Sequence, residues 1–327
     1  MKGDALLILI ILGFGLLAGL IAYSYLSLKE EVNIEYPSIP SIPKYSDISF
    51  SPISKTPGKL PTEYLDLRKE YFEFPYYLEN TFTEKTEIKV CPFIAYEIDG
   101  KNGIIEGECQ SFELNAKEKK EGYIRIPLKN KEELKNSTKI LVGVNISYSS
   151  SVNSLCDLYI EEGYPSCTTP KTSDLKFYPI LIPNPIKPSD SSFSVDLQLE
   201  KYGEKLIIKG IEVKPLETVI KRKSRDREIE ERIGVSGECN LKEEIEIVSP
   251  KELIKVCSLP SPKIEVKEKN VTGSFKQSLQ INCESEIAKE LKICEIAKEN
   301  GEILKKIPIY IKVNFEALKI YRYKVYL

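Results

Sequence analysis

The chain has 327 residues, 42% hydrophobic and 29% charged, with a formal net charge of −2. That length suits about two ordinary domains, and the composition is that of a protein that folds. It contains no histidine, which excludes His-dependent triads and Cys–His nucleophile pairs, and its near-neutral charge offers no general attraction to nucleic acid.

Residues 1–4 form a short polar start, and residues 5–28 run 24 positions without a charge. About 20 helical residues span a bilayer core, whereas a cleavable signal has a shorter apolar run and a small-residue cleavage site. An uncleaved transmembrane helix is therefore expected over 5–28, with the lipid bilayer as its partner. Lys2 and the amino terminus precede the run, and Lys29, Glu30 and Glu31 follow it. This charge distribution places the amino terminus inside and the rest of the chain outside the cell membrane. Gly15 and Gly19 form a GxxxG on this helix, a spacing that lets two helices pack closely and suggests a homo-oligomer. Lys2-Gly3-Asp4 before a long apolar run resembles a type IV pilin-like signal peptide. That resemblance implies cleavage after Gly3 and a filament subunit, although Ile8 stands where pilins usually carry Glu.

Residues 29–61 read as a Pro/Ser-rich stalk. Pro37, Pro40 and Pro43 recur every third residue, which matches a polyproline II spacer. The aromatic patch that follows, including Tyr71, Phe72, Phe74, Tyr76 and Tyr77, is expected to pack against the first domain.

Eight cysteines stand at Cys91, Cys109, Cys156, Cys167, Cys239, Cys257, Cys283 and Cys294, with separations of 18 and 11 that occur twice in the same order. The segments 193–213 and 307–327 share an alternating apolar pattern. A duplication follows: repeat one over 62–220, a charged linker over 221–232 and repeat two over 233–327. Alternation at 140–146, 264–266 and 279–281, with turn signals at Asp99-Gly100 and Tyr202-Gly203, makes both repeats β. Residues 285–300 dissent, because their apolar positions fall at helical spacing and Gly301 follows.

An even cysteine count beyond a membrane span, with no C-x-x-C, favours disulfides over a metal site. Hairpins turning at Gly100-Lys101-Asn102, at Glu162-Gly163 and near Ser249-Pro250 would bring sequential cysteines opposite each other. Sequential pairing is therefore expected, although each repeat alone allows three connectivities. Cys283 and Cys294 fit poorly in one unbroken helix, where 11 residues span about 16 Å.

The strand–turn–strand of 193–213 resembles immunoglobulin-like repeats of archaeal membrane-anchored surface proteins. The resemblance implies a mainly β chain: an N-terminal transmembrane helix followed by two tandem immunoglobulin-like β-sandwich repeats. Asn136, Asn145 and Asn270 fit the glycosylation acceptor pattern. The stretch Lys221 to Arg232 alternates charge without aromatics and reads as a solvated connector. No phosphate loop, dinucleotide fingerprint or marked carboxylate pair occurs. The expectation is a non-enzymatic extracellular surface protein without cofactor, metal or nucleic acid, serving adhesion, envelope structure or binding of a protein or glycan partner. A filament subunit and an anchored carboxylate hydrolase are the alternatives.

Overall fold

The computed structural model describes residues 31–35, 45–223, 227–270, 277–281 and 305–327. The expected span 5–28 with Gly15 and Gly19, the expected helix over 285–300, and Cys283 and Cys294 lie outside the described residues. No helix among the described residues is long and apolar enough to cross a membrane.

The described chain is mainly β. It runs through β1 (Glu31–Glu35), β2 (Ile48–Pro52), β3 (Tyr71–Asn80), β4 (Thr86–Ile98), β5 (Lys101–Glu106), β6 (Gln110–Leu114) and β7 (Lys119–Pro127). A short helix, α1 (Lys131–Lys135), precedes β8 (Lys139–Tyr159), β9 (Ser166–Cys167), β10 (Leu175–Ile182), β11 (Ser192–Lys201) and β12 (Lys205–Pro215). Then come β13 (Thr218–Lys223), β14 (Arg227–Gly234), β15 (Cys239–Leu241), β16 (Ile245–Glu246), β17 (Lys251–Pro260), β18 (Lys263–Asn270), β19 (Gln277–Ile281) and β20 (Lys306–Val325).

The backbone of the fold is the pairing of β8 with β20, which runs antiparallel from Lys306↔Tyr159 to Val325↔Ile140. Both strands alternate apolar inward with polar outward. On β20 the residues Ile307, Ile309, Ile311, Val313, Phe315 and Ala317 are all buried, and on β8 so are Ile140, Val142, Val144, Ile146 and Tyr148. β-Branched and aromatic residues suit such a half-covered pleat. Around this pair a nine-stranded sheet assembles in the order β15-β12-β20-β8-β4-β5, with β16 on β12, β6 on β4 and β9 on β8.

Two small sheets serve the two ends of this platform. The sheet β2-β3-β7 packs at one end, where Phe50 stacks near Tyr321 at 5.1 Å and Tyr76 meets Phe112 edge-on at 6.4 Å. The sheet β10-β11-β17 packs at the other end, with β10 against β8 and β17 against β15. One apolar cluster runs through all three sheets.

A five-stranded ribbon, β1-β13-β14-β18-β19, forms a separate sheet. Its register aligns charges in rows: Lys221 faces Glu230, which faces Lys267, and Arg232 faces Glu265. Such cross-strand pairs stabilise a solvated sheet face. The opposite face buries Ile220, Ile233, Ile264 and Val266. Glu231 sits on that apolar face and is fully buried in an ion pair with Lys305 at 3.4 Å.

Several expectations change. Within the expected connector 221–232, residues 221–223 and 227–232 pair as β13 and β14, because their alternating charges fit the two-residue period of a strand. The stalk over 29–61 contributes β1 and β2, and Ile48 and Leu60 within it are buried. The division into 62–220 and 233–327 is not how the sheets are composed: β20 lies between β12 and β8, and β17 pairs with β11. Segment 193–213 is two strands around Tyr202-Gly203, but segment 307–327 is the single strand β20 with a final residue or two beyond it. It lacks Gly, and its one Pro stands at the second residue, so nothing interrupts the alternation.

Three strand glycines sit directly opposite aromatic rings: Gly103 opposite Tyr96, Gly122 opposite Tyr76 and Gly143 opposite Phe93. In each case a Cβ would come within 2.0–2.2 Å of a ring atom, so the ring occupies the space a side chain would need. Gly143→Val overpacks this site on β8 and is expected to lower stability by about 1–3 kcal/mol. Guanidinium unfolding of wild type and variant measures this, and Phe93→Ala in the variant background should return part of the loss.

Candidate functional site

The region where the two small sheets adjoin holds a buried ionic cluster. Four segments deliver it. Asp47 stands just before β2, and Thr172, Ser173 and Asp174 lead into β10. Tyr148 comes from β8 and Lys319 from β20. Lys319 continues the odd-numbered inward series of β20 beyond Ala317, so the strand's own periodicity carries an ammonium into the core. Its register partner is Ile146, which makes Tyr148 its diagonal neighbour.

A buried charge is tolerated only when it is paired and hydrogen-bonded. Lys319 Nζ bonds Asp47 Oδ1 directly, donates to the Ile48 carbonyl at 2.6 Å, and stands 3.6 Å from Asp174 Oδ2. The Tyr148 ring lies 5.5 Å from the same nitrogen. Tyr148 donates its hydroxyl proton to Asp174 Oδ2 at 2.5 Å, and Tyr45 donates to Asp47 Oδ2 at 2.9 Å. Ser173 Oγ lies 2.8 Å from Asp47 Oδ1 and 3.0 Å from Asp174 Oδ2, bridging the two carboxyls.

Local turns set these groups. The Asp174 backbone N–H donates to Thr172 Oγ1 at 3.0 Å, and the Asp47 N–H donates to Thr81 Oγ1 at 2.6 Å. Asp174 is 2% exposed and Lys319 8%. Burial holds the Asp174 carboxyl above its ordinary range, against the pull of Lys319 and the hydrogen bonds from Tyr148 and Ser173. Burial likewise raises Tyr148 well above the usual phenol value, and pushes Tyr45 and Tyr321 up to about 12.

On the outward face, an open groove of about 420 Å³ lies over β4, β6 and β8. Its lining mixes charged and hydroxyl side chains, among them Glu87, Lys89, Glu113, Ser147 and Glu316, with Ile88, Phe112 and the Tyr148 ring. Glu113 is paired with Lys85, and Glu316 with Lys209 at 3.1 Å. Among the described residues, no three His, Cys, Asp or Glu side chains converge as a metal site would require.

The cysteines pair in sequence: Cys91 with Cys109, Cys156 with Cys167, and Cys239 with Cys257. Cys156 and Cys167 oppose each other directly on β8 and β9. Cys239 and Cys257 do not belong to one hairpin. Cys239 pairs with Val213 in the large sheet and Cys257 with Val195 in a small one, so their bond joins two layers. Of the acceptor asparagines, Asn136 is exposed at the end of α1. Asn145 is mid-strand, between Cys91 and Ile320, and its Oδ1 has no hydrogen-bond partner. Asn270 ends β18, opposite Arg227.

Sequence reading missed Asp47, Asp174 and Lys319. The available signal was the period-two series from Ile307, which Lys319 extends; no local pattern marks the two aspartates, which lie 127 residues apart.

No known family's sequence profile matches the chain, and no curated protein matches it. Among solved structures it is similar to the transglutaminase of red sea bream, at 8% identity over 74% of this chain, with a TM-score of 0.20. This chain spans 31% of that protein, and so weak a likeness carries no argument about fold or activity.

Lys319→Met removes the counter-charge from two buried carboxyls and is expected to lower unfolding free energy by about 3–5 kcal/mol, measured by chemical denaturation. The pH response has a definite sign. A carboxyl whose proton is held more tightly in the folded chain contributes most at low pH, and its contribution falls as pH rises above the ordinary value of 3.8. Asp174→Asn removes that decline, so the stability of wild type relative to the variant should fall as pH rises from about 4 toward neutrality. Denaturation midpoints of both proteins across that range provide the check.

Proposed function

We propose that this chain is a non-enzymatic surface protein, held in the cell membrane by residues 5–28 with its β body outside, where it serves adhesion, envelope structure or partner binding. The observation that carries the reading is the set of three sequence-local disulfides in a β body that follows an uncharged run of 24 residues. Disulfides persist in oxidising compartments and are rare in reducing ones. Each closes a loop short enough to stabilise by about 3 kcal/mol, which suits a protein exposed outside the cell.

The distribution of charged groups supports a role without catalysis. The gathering of ionisable side chains around Lys319 is largely buried, with Asp174 2% and Lys319 8% exposed. The outward groove is open and mixed in character, with Ile88, Phe112 and Tyr148 beside charged and hydroxyl side chains, a surface for a protein or glycan partner. The immunoglobulin-like and archaeal affinity remains part of this proposal, supported by the antiparallel layers and their alternating burial.

Protease treatment of intact cells tests the reading. The ectodomain should be shaved from whole cells, the remaining chain should sediment with membranes, and thiol alkylation before reduction should leave the native cysteines unmodified. A protease-resistant chain in the soluble fraction of lysed cells, with alkylated thiols, would sink it.

A further inference from the structure

We propose that Lys319 and Asp47 condense into an intramolecular amide between Lys319 Nζ and Asp47 Cγ, with Asp174 as the proton donor. The site is assembled independently of where the protein resides in the cell.

The geometry supplies what the condensation needs. The nitrogen is already against the carboxyl group, bonded to Asp47 Oδ1 and steadied by the Ile48 carbonyl at 2.6 Å. Holding two reactants in contact replaces a bimolecular encounter with a local step. Both partners are buried, Lys319 at 8% and Asp47 at 9% exposure. The Tyr148 ring, 5.5 Å from the nitrogen, limits its exposure to water, which would reverse the reaction.

A second carboxyl stands where an acid is required. Asp174 is 2% exposed, and burial shifts its carboxyl toward the protonated form, against the pull of Lys319. Ser173 Oγ touches Asp47 Oδ1 at 2.8 Å and Asp174 Oδ2 at 3.0 Å. A single serine hydroxyl proton serves one of these contacts at a time, and a proton on Asp174 would serve the other. The chain Asp174, Ser173, Asp47 is then a path by which a proton reaches the departing oxygen.

The step balances without oxidant or reductant. The ammonium and carboxylate together carry three protons on nitrogen. The Nζ–Cγ bond forms and one Cγ–O bond breaks. One proton stays on the amide nitrogen and two leave with the oxygen as water. Asp174 lends a proton to the leaving oxygen and regains one from the nitrogen, ending as it began. The resulting amide donates its remaining N–H to the Ile48 carbonyl. It also replaces a buried ion pair with a neutral group, which removes the desolvation cost of two charges.

The product is a covalent tie between the segment before β2 and the last strand, 272 residues apart in sequence. The test is the mass of the full-length protein, extracted in detergent and fully reduced. Wild type should weigh one water less than its sequence. Trypsin should release a branched peptide joining 45–55 to 313–322, uncut after Lys319. Lys319→Arg keeps the positive charge but should show the full sequence mass, and Asp174→Asn should show loss of most of the cross-link. An intact sequence mass for wild type, with Lys319 cleaved normally, leaves an ordinary buried ion pair and overturns the proposal. So does a water lost within the Asp47 peptide alone, which is a cyclic imide. A Lys319→Arg protein that still weighs one water less than its own sequence overturns it as well. An Asp174→Asn protein that cross-links as fully as wild type overturns the role given to Asp174.

Discussion

The pairing of β8 with β20 is the constraint from which the rest of the architecture follows. It joins the middle of the chain to its last segment over the whole length of two long strands. The entropy of closing so long a loop grows only slowly with loop length, while every rung of the ladder adds a hydrogen-bonded pair. Once formed, the two strands offer a platform too long for any one small sheet to cover. Their neighbours are therefore staggered. β4 pairs with β8 from Glu97↔Lys139 to Glu87↔Ser149, and β12 pairs with β20 from Pro215↔Ile309 to Lys205↔Leu318.

Covering a long platform with two short sheets creates a place where neither supplies a full apolar lining. The aromatic trio Phe82, Tyr148 and Phe315, with centroids about 6 Å apart, fills part of it. The remainder is filled by Lys319 and the carboxyls of Asp47 and Asp174. The lysine arrives through strand periodicity and the aspartates through the entries to β2 and β10. The same few atoms thus tie the two small sheets to the large one. A buried ionic cluster is weak evidence for stability by itself, because desolvation opposes the Coulombic gain. Its members come from all three layers, so its hydrogen bonds and ion pairs link their placements to one another.

Much of this architecture was legible in the sequence, and the failures have physical causes. Alternation at 140–146, at 193–199 and at 307–313 identified strands because a two-residue period is a local property. Sequential cysteine pairing was legible because each bond closes a short loop. The partition into tandem repeats was not, because strand order is set by contacts between distant segments, and β20 inserts between strands of the earlier half. The run from Lys221 to Arg232 looked like a solvated connector because its meaning depends on register. Only when Lys221 faces Glu230 and Glu230 faces Lys267 does an alternating run become a sheet face. Proline spacing suggested a spacer before residue 61, yet Ile48 and Phe50 alternate with serine and dock as β2. The ionic cluster stayed hidden for the same reason: its members are ordinary in their own neighbourhoods and acquire meaning only together.

The orientation of β1 fixes how the body meets a mechanical pull. β1 runs antiparallel to β13, with Glu31 at the Lys223 end and Glu35 at the Val219 end, and β13 continues from β12 in the large sheet at that second end. Tension applied at Glu31 and resisted by the large sheet therefore acts along the strand axes, so the five rungs of β1 share it at once. Unzipping them one by one would require a pull at right angles to this axis. Through Glu231 and Lys305 the ribbon then passes the strain to the start of β20, which lies between β12 and β8 in the large sheet.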